Sequence, residues 1–170
     1  MASTPTNPFL RTDDRGPKKD KAQKHNRRGA DLESKFLRVI DANFNRAKEG
    51  LRVCEDVCRF WLNDTAMTKK LKDLRHGLTK VMVPLGLKEM IMGRDVGGDV
   101  GSKSTKSESR RDKPSDIFYA NSQRVKESLR VLEEFSKLKN TKAAQAIKAM
   151  RYEVYVIEKK VLTARALHGK

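Results

Sequence analysis

Residues 42–55 (ANFNRAKEGLRVCE) return as residues 120–133 (ANSQRVKESLRVLE), with nine of fourteen positions identical at an offset of 78. Neither copy holds a proline and both are rich in helix formers, so each reads as a helix. At about 100° per residue, Ala47, Leu51, Val53, Cys54, Val57 and Cys58 share one wide face. Lys48, Arg52, Glu55 and Arg59 share the opposite one. Asn43 and Arg46 fall within the apolar face, with Gly50 on the same line. Asn121, Arg124 and Ser128 repeat the arrangement beside Leu129, Val131 and Leu132. Burying an amide and a guanidinium without partners is costly. Two readings follow. Either the small Gly50 and Ser128 leave room for a polar pocket, or each arginine pairs with Glu49 or Glu127 of the other helix in a structural network.

The repetition continues into the following helix at an offset of 76, pairing Leu71 with Ile147, Leu74 with Met150, Arg75 with Arg151, Leu78 with Val154 and Val81 with Ile157. The expected fold is therefore all-α: a helical bundle of two duplicated hairpins, joined by a long Gly/Ser-rich central loop. Related helices would meet at a pseudo-two-fold axis, with Asn43/Arg46 facing Asn121/Arg124 across it.

Residues 1–33 are polar, charged and aperiodic, and read as a disordered basic tail. The helical domain then spans 34–170, with hairpin one at 34–84, the loop at 85–114 and hairpin two at 115–167. A helix should start near Asp31 or Ser34 and run to about Trp61. Leu62 to Thr65 supply a turn and a new cap, and the second helix stops before Pro84. Residues 85–93 suit a short helix or an extended segment equally. Ser115 is the expected cap of the second hairpin, whose first helix runs to about Leu138 before a turn at Asn140-Thr141. The last helix carries Ala143, Ile147, Met150, Val154, Ile157, Val161 and Ala164 in alternating 4–3 spacing.

Composition narrows the function classes. No apolar run approaches ~18 residues, so no membrane span is expected. The N-terminus lacks a signal-peptide pattern, which makes a cytoplasmic location the expectation. Cys54 and Cys58 sit four apart on one helix face and read as core residues, and His25, His76 and His168 are not spaced as a metal pair. The net charge of +16 invites a nucleic-acid partner, but the excess is scattered and aromatics are only 6%. Attraction to small polyanions explains the charge equally well.

Three groups converge on anion handling. Arg46 and Arg124, with Arg75 and Arg151 nearby, offer planar donors that engage two phosphate oxygens at once. The stretch Arg94-Asp95-Val96-Gly97-Gly98-Asp99-Val100-Gly101 has glycines that let backbone N–H groups approach phosphate, and Asp95 and Asp99 suit Mg²⁺. Gly101-Ser102-Lys103-Ser104 has the look of a Walker A ending, but the full pattern and its preceding strand are missing. Glu49 and Glu127, at the edge of the inward face, suit a heterocycle's ring nitrogens, a metal or the arginines.

The runs LRVIDANFNRAKEGLRVCEDVCRF, Arg75-His76, RDVGGDVG, ANSQRVKESLRVLEEF and RYEVYVIEK resemble, over about residues 36–162, a helical domain found at the N-terminus of certain bacterial thiamin phosphate synthases. That family is associated with an alternative hydroxymethylpyrimidine phosphate kinase. The resemblance implies an ATP- and Mg²⁺-dependent phosphotransferase that converts the pyrimidine monophosphate to its pyrophosphate. The resemblance carries no list of catalytic residues, so the roles rest on the repeat and the loop: Arg46 and Arg124 neutralise the phosphates with Lys103 beside them, and Asp95 and Asp99 hold Mg²⁺. Arg94, Gly97, Gly98 and Gly101 cradle ATP, and Asn43, Asn121, Glu49, Glu127 and Arg75 bind the pyrimidine phosphate. Thiamin phosphate synthase and a second copy of the chain are the candidate protein partners. Two other classes compete: a non-catalytic dimerisation or regulatory module of a synthase, and, ranked last, a basic nucleic-acid-binding protein.

Overall fold

The computed structural model describes residues 16–92, 94 and 111–164. Among these residues there are five α-helices and no strand: α1 (Gly16–Asp56), α2 (Thr65–Met82), α3 (Leu87–Met92), α4 (Pro114–Ser136) and α5 (Thr141–Leu162). None is long and apolar enough to cross a membrane. Most of the expected Gly/Ser-rich loop, residues 95–110, lies outside the described residues.

α1 starts at Gly16, well before Asp31 or Ser34, so the segment read as an unstructured tail is helical over its second half. From Arg27 to Lys35 it is exposed. Lysine, alanine, glutamine and arginine dominate this stretch and are all good helix formers, so propensity extends the helix without any apolar stripe to bury. Residues up to Ser34 form one compact unit and Lys35–Lys170 another.

Within the second unit the core follows the helical spacing. Ile40, Phe44, Ala47, Leu51, Cys54 and Cys58 of α1 are buried together with Leu71, Leu74, Leu78 and Met82 of α2. Phe118, Val125, Leu129 and Leu132 of α4 and Ile147, Val154, Ile157 and Val161 of α5 complete it. Each fully buried aliphatic side chain contributes about 1.5–3 kcal/mol.

α1 and α4 lie antiparallel. Phe36 meets Phe135 with ring centroids 6.3 Å apart, Gly50 faces Asn121 and Val125, and the Cys54 thiol reaches the Phe118 carbonyl at 3.7 Å. Gly50 does not open a cavity, contrary to the sequence expectation. A Cβ there would lie 2.7 Å from Val125 Cγ2 and 3.0 Å from the Asn121 carbonyl oxygen. The missing side chain is what lets the two backbones approach. α2 and α5 pack against each other, and Met150 Cε would stand 3.2 Å from a Cβ at Gly77.

The helix ends follow local chemistry. The last turn before α2, Val57–Trp61, is π-helical. Asn63 then takes a left-handed conformation at φ 52°, and Asp64 caps α2 by accepting from the Met67 amide at 2.9 Å. Asn140 caps α5 in the same way, accepting from Ala143 N at 3.0 Å. Val83–Leu85 form one 3₁₀ turn, and Gly86 at φ 85° makes the left-handed step into the short α3. Ser115 is not the cap of α4. Lys113 precedes Pro114 at the first helical position, and the Asp116 carboxylate accepts from the amides of Asp112 and Lys113 at 3.2 and 3.1 Å. Proline at the helix start and an acid in the first turn outweigh the serine.

A buried ion pair ties each hairpin together. Glu55 Oε2 accepts from Arg75 Nε and lies 3.0 Å from Arg75 Nη2. Glu133 Oε2 accepts from Arg151 Nε and Nη2 at 3.1 and 2.9 Å. Glu55 was placed on the solvent face by the helical wheel, yet it is buried. The wheel puts it a few tens of degrees from Leu51 and Cys58, within reach of a cation on the adjacent helix. Arg52 and Arg130 cover the two glutamates from outside at 3.4 and 3.0 Å.

Candidate functional site

A cleft of about 690 Å³ opens on one side of α1. Its walls carry four cations (Lys35, Arg38, Arg46 and Arg94), two acids (Asp41 and Glu49) and two amides (Asn43 and Asn45). All but Arg94 sit on successive turns of α1, at positions that a helix brings to one side. Arg94 comes from beyond the end of α3.

Arg94 is fixed by a two-pronged contact with Asp41. Its Nε donates to Oδ2 and its Nη2 to Oδ1, both at 2.7 Å. Asn45 Nδ2 donates to the same Oδ1 and to the Asp41 carbonyl, each at 3.0 Å. Asp41 is buried while Arg94 stays partly open to solvent. The hydrogen bonds and charge of Asp41 push the Arg94 guanidinium above its ordinary pKa, so it remains a cation at any working pH.

Asn43 is buried, and its Nδ2 donates back to the Val39 carbonyl at 2.9 Å. One amide N–H and the side-chain carbonyl remain for a ligand. Arg46 and Glu49 are exposed at the cleft wall, and among the described residues neither makes an ion pair. The wheel therefore misplaced Arg46. The buried line runs through Asn43, Ala47, Gly50 and Cys54, and Arg46 is one step round at the boundary, where a guanidinium keeps its water.

The second set does not join this cleft. Arg124 and Glu127 are exposed on α4, and Asn121 Nδ2 donates to the Ile117 carbonyl at 2.8 Å, a contact like that of Asn43. Arg46 and Arg124 do not face each other across a polar centre. Both are exposed, whereas the next residue of each helix, Ala47 or Val125, is fully buried. Arg75, expected at the substrate, is instead held by Glu55. The alternative network of arginines with Glu49 or Glu127 is also absent among the described residues, since Glu55 and Glu133 take that part.

The two halves differ where chemistry would matter. Positions 41 and 45 correspond to Tyr119 and Gln123 at the offset of 78, so the Asp41–Arg94 contact has no counterpart there. Gln123 instead donates to Glu158 Oε1 at 3.2 Å, alongside Ser122 at 2.7 Å and Lys126 at 2.8 Å. At the offset of 76, Glu158 corresponds to the buried Met82. That face of the second hairpin is filled by its own side chains.

Lys103, Gly97, Gly98, Gly101, Asp95 and Asp99 lie outside the described residues. Among the described residues no group of three histidine, cysteine or acidic side chains is gathered to hold a metal ion. Cys54 and Cys58 are free and buried as expected. Burial, reinforced by Asp64, pushes the Cys58 thiol up to about 12, and Cys54 is raised further by burial, Cys58 and Glu158. Neither is a nucleophile at neutral pH.

Sequence reasoning missed Lys35, Arg38, Asp41 and Asn45. The i, i+4 pairing of Asp41 with Asn45 was visible, but its partner Arg94 is 53 residues away.

The family model of the ThiD2 family matches residues 38–160. The chain is 43% identical over 126 residues to a thiamine-phosphate synthase of Nostoc punctiforme, covering 74% of this chain and 35% of that protein. It is 38% identical over 138 residues to that of Thermosynechococcus vestitus, covering 80% and 38%, and 42% identical over 120 residues to that of Rhodopirellula baltica, covering 70% and 32%. The chain thus spans about a third of the length of these relatives. No solved structure matches it significantly. With the family model covering most of the helical domain, the cleft and the helices that build it belong to a member of the ThiD2 family.

Proposed function

We propose that the chain is a hydroxymethylpyrimidine phosphate kinase of thiamin biosynthesis, with the cleft beside α1 as its site. The observation that carries this reading is the gathering of Lys35, Arg38, Arg46 and Arg94 around the buried Asn43 amide and the half-buried Asn45. Two phosphorylated molecules meeting in one site need this density of positive charge and little else from the protein. Family membership, and relatives named as thiamine-phosphate synthases, support the same pathway.

In the proposed reaction an anionic oxygen of the pyrimidine's phosphate attacks the γ-phosphorus of ATP. The bond from that phosphorus to the bridging oxygen breaks, and ADP leaves. The attacking oxygen already carries its negative charge, so no general base is required. Arg46, Arg94, Lys35 and Arg38 hold and neutralise the phosphates. The Asn43 amide and Glu49 carboxylate hydrogen-bond the aminopyrimidine. Mg²⁺ bound to the ATP phosphates would spread their charge. Asp95 and Asp99, which lie outside the described residues, are proposed as its protein ligands on the sequence reading. Lys103, Gly97, Gly98 and Gly101 complete the nucleotide cradle on the same reading.

The two hairpins are read as copies of one unit, of which the first kept the ligand site and the second became packing. Arg46 rather than Arg124 is then the arginine that serves the reaction.

The test is a coupled assay. Purified protein, MgATP and hydroxymethylpyrimidine phosphate are supplied to a thiamin phosphate synthase with the thiazole phosphate. Thiamin phosphate that depends on this protein and on ATP supports the kinase. Folded protein that yields none, in the presence of a working control kinase, overturns it and favours a regulatory module of a synthase.

A further inference from the structure

We propose that Asp41 is a positioning residue: it aims the guanidinium of Arg94 so that its remaining donors meet a phosphate in the cleft. The proposal rests on the anion-binding part of the reading above and not on the transfer step.

The geometry carries the argument. A guanidinium has five N–H donors in a fixed fork. Asp41 engages Nε and Nη2 at 2.7 Å each, which leaves both donors of Nη1 and one of Nη2. Because the fork is planar, a two-pronged contact on one edge fixes the direction of the other. Asp41 is itself held on α1 by Asn45, whose amide donates to Oδ1 at 3.0 Å. Its burial leaves it little rotational freedom, while Arg94 remains 43% exposed at the cleft wall. A buried acid with two hydrogen-bonded neighbours thus grips a cation whose free edge is open. Replacing Asp41 by asparagine would set an N–H against a guanidinium donor, releasing the fork without removing any charge from Arg94.

The experiment is calorimetric titration of the full chain with inorganic tripolyphosphate. The proteins compared are wild type, Arg94→Ala, Asp41→Asn, the double variant and Arg94→Lys, each checked for helix content. Arg94→Ala should lose about tenfold in affinity, the share of one charge-assisted contact. Asp41→Asn should lose a similar factor, and the double variant no more than Arg94→Ala alone, because Asp41 acts through Arg94. Arg94→Lys, which keeps a cation beside the buried Asp41 carboxylate, should lose nearly as much as alanine, since an ammonium has no second edge. Wild-type affinity in Asp41→Asn, multiplied losses in the double variant, or full affinity in Arg94→Lys would each overturn the assignment. So would a wild type that does not bind tripolyphosphate. A wild type that binds with the expected pattern but makes no product in the coupled assay removes the kinase reading and leaves the role of Asp41 standing.

Discussion

Glu133 receives two hydrogen bonds from Arg151 on a single carboxylate oxygen, at 3.1 and 2.9 Å, with both side chains buried between α4 and α5. Glu55 and Arg75 make the matching contact in the first hairpin, slightly more open to solvent. The pairs explain why two arginines of a strongly basic chain are unavailable to a ligand.

Removing the carboxylate strands a buried cation. Glu133→Ala should destabilise the protein by about 3–5 kcal/mol, and Glu55→Ala by less, because Arg75 can reach water. Urea midpoints with unchanged slopes are the measurement. Equal and small losses in both would show that the pairs are well solvated.

Gly50 is a contact, not a gap. Gly50→Ala pushes a methyl against Val125 and the Asn121 carbonyl, at a cost of about 1–3 kcal/mol. Gly29→Ala is the control. Nothing lies within 4 Å of the added carbon, so it should gain about 0.5–1 kcal/mol in helix stability, read by circular dichroism.

The asymmetry of the halves predicts unequal arginines. Arg46→Ala should lower affinity for the phosphorylated ligands about tenfold or more, whereas Arg124→Ala should stay within about twofold of wild type. Binding titrations on both variants decide it. Equal losses would mean that the second hairpin also carries a ligand site.

The raised cysteine pKa values set a pH dependence with a definite sign. In the unfolded chain the thiols ionise near their ordinary value of 9.0, but in the fold burial makes Cys58 hold its proton to about 12. The native state therefore binds more protons above pH 9, and stability is lost as pH rises through that window. The decline between pH 9 and 10.5 should be shallower in Cys58→Ala. Neither thiol should react with a maleimide at pH 7.5 until the protein is unfolded.

Much of the fold was legible in the chain. The 4–3 spacing from Ala143 to Val161, the turns at Leu62 to Thr65 and Asn140-Thr141, and the stop before Pro84 depend on residues within a few positions of one another, and a helix brings those together whatever else the protein does. The start of α1 was missed because propensity without an apolar stripe leaves no periodic mark. Ser115 has the chemistry of a cap, but the start of α4 is set jointly by Pro114 and Asp116, a combination that no single residue type reveals.

The sequence by itself determined the all-α class, most of the helix boundaries and the spacing of the buried apolar residues, since these follow from composition and short-range spacing. Only the tertiary structure decided which arginines are free. Arg75 and Arg151 are held by Glu55 and Glu133 on neighbouring helices, Arg94 is held by Asp41 from 53 residues away, and Arg46 turns outward to keep its water. A helical wheel gives the direction of a side chain to within a few tens of degrees. The burial of a long charged residue at the edge of a face depends on what the adjacent helix offers there, and that is known only once the helices are packed.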